Sequence, residues 1–239
     1  MSFPRRRESN YMELTLLFIA LFFLALMLFV RQFISTCKKA NKTDWGNGFL
    51  NTLEGMNRLF CQRYHHLSEV EIPLPESGPA ILVSNHISGL DPMLLIASSP
   101  RPIRFLIARE QYERFGFKWL FKAVGCIPID RSKQADNSMR HAIRALHNGE
   151  VLAIFPHGKI HLRSDPPARL KPGAARLAIK VECPIVPVRI SGVARQGHVL
   201  TPVVVRGRAL LESCNALQPA DLGIEQLNSS MLQCIEKDS

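Results

Sequence analysis

The 239-residue sequence lacks several patterns that would place it in a familiar class. Its six cysteines form no Cys-x-x-Cys pair, so the chain offers neither a zinc framework nor a convincing disulfide set. We therefore expect free thiols in a reducing compartment. No Gly-x-Ser-x-Gly segment occurs, so nothing suggests a serine nucleophile on a sharp strand-to-helix turn. Without an internal repeat or a low-complexity linker, the chain fits one well-buried domain and an appendage.

Acidic residues are scarce, and the charge is unevenly distributed. The sequence carries 30 Lys and Arg against 20 Asp and Glu, a formal net charge of +10. Residues 1–42 are strongly basic, whereas residues 207–239 are acidic. A single-strand nucleic-acid binder would interleave aromatic and basic residues, which this chain does not do. An anionic membrane surface, a phosphate substrate or an acidic carrier protein explains the charge at least as well.

A long apolar run near the N-terminus is the clearest feature of composition. Thr15 is the one non-apolar residue between Leu14 and Val30, and the flanks extend the run to about 12–34. About 20 helical residues cross a bilayer core, so we predict a transmembrane anchor within residues 1–43. A cleaved signal peptide is the alternative, but the run is long and lacks a small-residue exit. Basic residues flank both sides, and their slight excess after the run favours a single-pass protein whose main domain faces the cytoplasm.

A second helix is predicted in the segment 44–69. Apolar residues recur at helical spacing between Trp45 and Leu67, with polar residues elsewhere around the helix. This amphipathic helix either packs on its own domain or lies in the membrane interface near the entry of a lipid.

Strands and helices alternate over residues 70–239, which indicates an α/β domain with a single sheet flanked by helices. Strands are predicted at 80–84, 103–107, 126–129, 151–155, 184–190 and 202–206. Helices are predicted near 91–98, 110–123, 135–148, 173–181 and 222–236. The longest irregular stretch, 157–172, directly follows a strand and is therefore a good place for substrate contacts.

The segment from Ser84 to Pro92 holds the most specific chemistry. His86 follows a buried strand, and Asp91 with Pro92 resembles the start of a helix. A carboxylate five positions on can bind one imidazole nitrogen and leave the other free to accept a proton. That arrangement is a general base with its orienter. The alternative is that Asp91 only caps the helix and His86 is an ordinary polar residue of the turn.

Four ordered motifs resemble those of the glycerolipid acyltransferases, the family that contains the 1-acylglycerol-3-phosphate acyltransferases. They are Asn-His-x4-Asp at 85–91, Gly-Cys-Ile-Pro-Ile-Asp-Arg at 125–131, Phe-Pro-His-Gly-Lys at 155–159 and Pro-Ile-Val-Pro-Val at 184–188. The resemblance covers residues 79–192. It implies a single mixed sheet flanked by helices, with His86 as the catalytic base and Asp91 as its orienter. It implies no cofactor.

The resemblance also suggests residues that bind the acceptor. Arg131 would hold the polar head of the acceptor, because a guanidinium binds phosphate bidentately. The third motif departs from the usual Phe-Pro-Glu-Gly-Thr-Arg-Ser: His157, Lys159 and Ile160 replace glutamate, threonine and arginine, while Gly158 remains. His157, Gly158, Lys159 and Arg163 are therefore further candidates for substrate contacts, and Lys159 and Arg163 could bind a phosphate. His157 and His161 have the i, i+4 spacing of a metal pair, but Pro156 and Gly158 indicate a turn rather than a helix, so we predict no metal site.

The resemblance implies a membrane-bound O-acyltransferase of phospholipid biosynthesis. Its donor would be acyl-CoA or acyl-carrier protein, and its first-choice acceptor 1-acylglycerol-3-phosphate, giving phosphatidic acid. The altered third motif keeps another lysolipid, such as a lysophospholipid or an amino-acid lipid, as an alternative acceptor. A membrane-anchored lipid-binding protein without catalysis is the alternative from another class. No nucleic-acid partner is expected.

Overall fold

A mixed sheet forms the centre of the protein. The computed structural model describes residues 5–113, 116, 118–129 and 135–236. In this part of the chain the strands are β1 (Ala80–Ser84), β2 (Ile103–Ala108), β3 (Ile127–Ile129), β4 (Val151–Ile154), β5 (Ile185–Ser191) and β6 (Leu210–Ser213). The order across the sheet is β3-β2-β4-β1-β5-β6. All neighbours are parallel except β5 and β6, so the fold is α/β with a single mixed sheet, as predicted.

Alternate residues of the central strands enter two separate hydrophobic layers. Along β1, Ala80 and Leu82 face one layer, whereas Ile81 and Val83 face the other. Side chains of successive strand residues point to opposite faces of a sheet, so a strand covered on both faces is apolar throughout. This explains why the segment 80–83 is a continuous apolar run rather than an alternating one.

Helices cover both faces of the sheet. In the described residues they are α1 (Arg5–Ala40), α2 (Gly48–Tyr64), α3 (Asp91–Ser98), α4 (Arg109–Tyr112), α5 (Lys118–Ala123), α6 (Ala135–His147), α7 (Gly173–Val181), α8 (Thr201–Val204) and α9 (Ile224–Ile235). One layer contains residues of α2 and α3, and the other contains residues of α6, α7 and α9. A 3-10 turn, Pro219–Asp221, precedes α9.

Two of the predicted elements are wrong. The segment 202–206, predicted as a strand from its valines, contains instead the short helix α8, with Pro202 in its first turn. The last strand is β6, which lies antiparallel at the sheet edge, and its alternating exposure left too weak a pattern to be recognised. The helix predicted near 110–123 is divided into α4 and α5, and Gly116 between them has a left-handed φ of +87°.

The N-terminal helix is long and apolar enough to cross a membrane. Its apolar part, Tyr11–Ala40, has a mean hydropathy of 2.7 over its most apolar window, and that window has no burial within the protein. Only the end of α1 packs on the domain, where Cys37 is buried. The backbones of α1 and α2 cross closely, because a Cβ on Gly55 would overlap the carbonyl oxygen of Cys37.

A buried polar network, centred on an ion pair within α2, joins the segment just after α1 to the domain. Arg58 lies 2.6 Å from Glu54 on α2, and both side chains are almost fully buried. Glu54 also accepts a hydrogen bond from Asn41, and Arg58 donates one to the carbonyl of Ser99, after α3. Thr43 donates to the same Ser99 carbonyl. The amphipathic helix α2 therefore packs on its own domain through a polar network, while Phe49 and Met56 remain exposed.

The expectation of free thiols is wrong for two of the six cysteines. Cys214, just after β6, and Cys234, in the last turn of α9, form a disulfide with 6.2 Å between their Cα atoms. They are 20 residues apart in sequence, and only the packing of α9 beside β5 brings them together. Cys37, Cys61, Cys126 and Cys183 are buried free thiols.

Candidate active site

The loops that follow the parallel strands meet at one edge of the sheet. Because β1 lies between β4 and β5, the first-motif loop after β1 is flanked by the third-motif loop after β4 and by the chain after β5. Ligands of open α/β sheets bind at this carboxyl edge. The sheet topology therefore brings His86 and the residues of 155–163 together.

His86 is held by a buried carboxylate. Its Nδ1 lies 2.8 Å from Oδ2 of Asp91, which is fully buried. The same oxygen accepts hydrogen bonds from the backbone amides of Ile87 and Ser88, and Oδ1 accepts one from the Ser88 hydroxyl. A carboxylate with four donors is fixed in position. Nδ1 of His86 therefore carries the proton that Asp91 accepts, and Nε2 is left as the acceptor.

The structure does not support the alternative that Asp91 merely caps a helix. Leu90 is the N-cap residue of α3, and Asp91 is already its first helical residue. The Asp91 side chain turns back to the loop and binds the amides there, besides the imidazole. Asp91 thus organises the whole loop between β1 and α3.

Backbone hydrogen bonds from two other loops hold the first-motif loop. His161 donates its amide to the carbonyl of His86 at 2.8 Å, and Gly197 donates its amide to the carbonyl of Ile87 at 2.8 Å. A Cβ on Gly89 would overlap the carbonyl of Val199, so glycine is required for this close approach. The position of His86 consequently depends on chain segments that lie more than 70 and 100 residues further on.

Two further residues, Phe155 and Asn85, support His86; both lie in the recognised motifs, but their roles were not predicted. Phe155 stacks on the imidazole, with ring centroids 4.2 Å apart and planes 17° apart. Asn85 donates to the carbonyl of Ile190 and accepts from its amide, which ties the end of β1 to β5. The His86 side chain keeps 20% of its surface exposed, and no described residue bonds to its Nε2. It is thus restrained and still open to a substrate.

The third motif forms a tight turn beside His86. The amide of Gly158 donates to the carbonyl of Phe155 at 2.9 Å, and Gly158 has a φ of +73°. The ammonium group of Lys171 lies over Gly158, where a Cβ would meet it at 2.5 Å. Lys159 is exposed next to this turn. Glycine at this position thus makes room for Lys171, and the loop presents two lysines, Lys159 and Lys171, beside the turn.

His157 is buried rather than exposed to a ligand. Its side chain is 2% exposed, and its Nε2 lies 3.0 Å from Oε1 of Glu236, just after α9. The ring stacks on that of His161, with centroids 4.5 Å apart. Burial lowers the pKa of His157, as does the neighbouring His161, while Glu236 opposes the shift. His157, His161 and Glu236 could together hold a metal ion, with one ligand atom from each within 4.8 Å of the others.

The close stacking of the His157 and His161 rings removes our reason for rejecting a metal-binding histidine pair. We expected the turn at Pro156 and Gly158 to separate the two rings, because i, i+4 residues face each other on a helix. The turn instead folds back and stacks them. Glu236 could not be found from the sequence, because it lies 79 residues beyond His157.

Two more predicted site residues have different outcomes. Arg163 donates a hydrogen bond to the carbonyl of Glu236 at 3.3 Å, so its side chain contacts the chain just after α9. Arg131 lies outside the described residues, although β3, which precedes it, ends at the same edge of the sheet as β1. Their contacts with a substrate stay predictions.

Comparison with known proteins agrees with the geometry. The family model described as Acyltransferase matches residues 67–191, just over half of the chain. The chain belongs to the acyltransferase family. The matched region begins before β1 and ends with β5, so it contains His86, Asp91 and the whole third-motif loop of this acyltransferase-family protein.

Several curated proteins resemble this chain over about half of its length. The chain is 34% identical over 121 residues to a probable 1-acyl-sn-glycerol-3-phosphate acyltransferase of Mycoplasma genitalium, covering 48% of this chain and 44% of that protein. It is 33% identical over 124 residues to an N-acylphosphatidylethanolamine synthase of Arabidopsis thaliana, covering 48% and 43%. It thus spans about half the length of these relatives.

The fold has a counterpart among solved structures. The crystal structure of the 1-acyl-sn-glycerophosphate (LPA) acyltransferase PlsC from Thermotoga maritima superposes with a TM-score of 0.62 at 20% identity. The match covers 92% of this chain and 91% of that chain. The acyltransferase-family fold therefore extends beyond the region that the family model matches.

Proposed function

We propose that this chain transfers an acyl group from a thioester to the free hydroxyl of a lysolipid. The observation that carries the proposal is the pair of His86 and Asp91. A fully buried carboxylate holds Nδ1, while no described residue bonds to Nε2 on the partly exposed side of the ring. A histidine held in this way is suited to remove a proton from a hydroxyl group.

The proposed reaction is direct transfer. Nε2 of His86 takes the proton of the acceptor hydroxyl as its oxygen attacks the thioester carbonyl. The carbon–sulfur bond then breaks, and the imidazolium returns the proton to the departing thiolate. Asp91 stabilises the imidazolium in between, because its carboxylate lies against Nδ1. The reaction yields an ester and a free thiol.

For the acceptor, we propose 1-acylglycerol-3-phosphate, which would give phosphatidic acid in phospholipid biosynthesis. The name of the Mycoplasma genitalium relative supports this choice. The exposed Lys159 beside Gly158 would bind the phosphate, with Arg131 and Arg163 as further cations. His157 would support the acceptor by holding the loop in place, because its own side chain is buried.

Another lysolipid, such as a lysophospholipid or an amino-acid lipid, is the alternative acceptor, and the altered third motif favours it. The usual glutamate of the third motif is replaced by His157, which is bound to a carboxylate from α9. The relative from Arabidopsis thaliana is named for a product other than phosphatidic acid. A changed loop next to a kept base is the arrangement expected of a changed acceptor.

We also propose that acyl-CoA or acyl-carrier protein is the donor, with no cofactor, and that α1 anchors the protein in a membrane. The length and hydropathy of Tyr11–Ala40 support the anchor. Arg31, Lys38, Lys39 and Lys42 follow the apolar run against Arg5, Arg6 and Arg7 before it, which favours a cytoplasmic domain.

Thiol release from an acyl thioester tests the proposal. Membranes carrying the protein are offered acyl-CoA or acyl-carrier protein with a panel of lysolipids, and products are identified by mass. Acceptor-dependent release with 1-acylglycerol-3-phosphate supports the proposal, and preference for another acceptor supports the alternative. Acceptor-independent release would indicate a hydrolase, and no release by an intact protein would indicate a binding protein.

A further inference from the structure

Three metal-ligating side chains converge beside the candidate active site, from two distant parts of the chain. His157 and His161 come from the loop after β4, and Glu236 follows α9. The Nε2 of His157 is 3.0 Å from Oε1 of Glu236, and the two imidazole centroids are 4.5 Å apart. The acyl-transfer mechanism uses none of these groups as an acid or a base.

A simple histidine–carboxylate pair does not account for the cluster. The Nδ1 of His157 is buried and has no hydrogen-bond partner among the described residues. An unpaired polar atom in such a position costs free energy, so a histidine buried only for stability should use both nitrogens. The second imidazole of His161, stacked directly on the first, adds another ligand but no hydrogen bond to the pair.

The ligand set is one that zinc accepts. Two imidazoles and one glutamate bind zinc in known protein sites, where a water molecule takes the fourth position. Bonds of about 2.0–2.1 Å place tetrahedral ligand atoms about 3.3 Å from each other. The atoms here lie within 4.8 Å of one another, so the ligand atoms would approach by up to about 1.5 Å on binding zinc. Mg²⁺ and Ca²⁺ prefer oxygen ligands and do not suit two imidazoles.

The surroundings offer an entry path and an orienting group. Glu236 is 41% exposed whereas His157 is nearly inaccessible, so an ion would arrive from the glutamate side and keep water there. The Nδ1 of His161 lies 3.7 Å from a carboxylate oxygen of Asp165. A carboxylate behind a ligating histidine fixes the ring and makes it a better ligand.

We propose that His157, His161 and Glu236 form a zinc site that ties the end of α9 to the third-motif loop. The ion would link these two segments and take no part in acyl transfer. Its effect would reach His86 through the backbone, because the amide of His161 donates to the carbonyl of His86.

Metal binding by the full-length protein in detergent, purified without a histidine tag, tests the site. Zn²⁺ titration should give about one equivalent bound per chain, and Co²⁺ should give a visible ligand-field spectrum that Zn²⁺ abolishes. Mg²⁺ should not compete. His161→Ala and Glu236→Gln should each weaken Zn²⁺ binding by at least about tenfold, since losing even an outer partner costs roughly 10- to 100-fold.

Matched variants make the result specific. Glu225→Gln changes an exposed glutamate in the first turn of α9, and His147→Ala changes an exposed histidine at the end of α6. Both should bind Zn²⁺ as the parent protein does. Zn²⁺ should also raise the unfolding temperature of the parent and of these controls, but not that of Glu236→Gln, which keeps the side-chain shape.

Binding of much less than one equivalent of Zn²⁺ would overturn the proposal, as would equal binding by Glu236→Gln and its control. Neither readout uses acyl transfer, so the metal site can fail while the proposed function stands.

Discussion

The carboxylate of Asp91 binds His86 and the backbone around it at the same time. One oxygen lies 2.8 Å from Nδ1 of His86 and 2.7 Å from the amide of Ile87. The other accepts the hydroxyl of Ser88 at 2.6 Å. The position of the imidazole and the shape of its loop therefore depend on one buried side chain.

Replacing the proposed base should abolish activity without unfolding the protein. We expect His86→Ala to lower acyl transfer by about 10²- to 10⁴-fold, the usual contribution of a general base. Expression and membrane association should stay close to those of the parent, and the unfolding temperature should fall only modestly, because three other donors still bind the Asp91 carboxylate. Near-parental turnover by His86→Ala would refute the assignment.

Asp91→Asn should impair both catalysis and the loop. An amide keeps one acceptor oxygen, and its NH2 group faces either the Ser88 hydroxyl, at the Oδ1 position, or the N–H donors of His86, Ile87 and Ser88, at the Oδ2 position. In the second orientation the hydrogen bonds of those three donors are lost. We expect a fall in turnover together with destabilisation of roughly 1–3 kcal/mol. Steady-state kinetics and thermal unfolding measure the two effects separately. Loss of stability with unchanged turnover would contradict the role of Asp91 as orienter.

Lys159→Ala should mainly weaken acceptor binding. A contact with the phosphate that is equal in the ground and transition states acts on KM rather than kcat. The KM for 1-acylglycerol-3-phosphate should rise, while the KM for the donor changes little. Lys180→Ala, at an exposed lysine near the end of α7, is the matched control. Unchanged acceptor kinetics in Lys159→Ala would remove the main local support for a phosphate acceptor.

Deleting residues 1–30 tests the anchor while keeping the domain contacts of the end of α1. Asn41 and Thr43 bond to Glu54 and to the carbonyl of Ser99, so a longer deletion would also disturb the domain. We expect most of the shortened protein to leave membranes at alkaline pH or high salt, because the apolar run is gone. Retention under both conditions would assign membrane binding to another surface, such as the exposed Phe49 and Met56 of α2.

Breaking the buried ion pair should be costly. Arg58→Ala leaves Glu54 buried with an uncompensated charge, for which about 3–5 kcal/mol of destabilisation is typical. Arg63→Ala, at the partly exposed C-terminal end of the same helix, should change stability much less. Denaturant unfolding in detergent compares the two variants. If both variants lower the stability equally little, the pair of Arg58 and Glu54 is open to solvent.

Thiol counting tests the disulfide. Unfolded protein without reductant should show four reactive thiols, and six after reduction. Six before reduction would refute the pair of Cys214 and Cys234. A reducing cytoplasm would keep this pair as thiols, so a count on protein taken directly from cells also reports on the compartment that the domain faces.

The remaining thiols predict a pH dependence. Burial raises the pKa of Cys61 to about 12 and those of Cys126 and Cys183 to about 11. The folded protein therefore holds these protons at pH values where the unfolded chain loses them. Their contribution to stability is complete below about pH 9 and declines as the pH rises toward 11. Alkylation of the folded protein at pH 8 should be slow, and rapid labelling of these residues would contradict their burial.

The sequence by itself determined the elements whose signals are local. The apolar segments 80–83 and 151–154 could become only buried strands, and the run 14–30 only a long apolar helix. The spacing of His86 and Asp91 allowed their contact, since both lie on one short turn, but the structure was needed to distinguish that contact from a helix cap. A side chain five residues away can reach its partner without help from the rest of the fold.

Only the tertiary structure decided the contacts between distant segments. Glu236 meets His157 because α9, which packs beside β5, ends at the loop after β4, and Asn85 bonds to Ile190 because β1 pairs with β5. The disulfide forms for the same reason. At the sheet edge, β6 pairs on one side alone, so its sequence carries a weaker apolar pattern than a central strand. Such contacts depend on which strands become neighbours, and no local spacing in the sequence records that order.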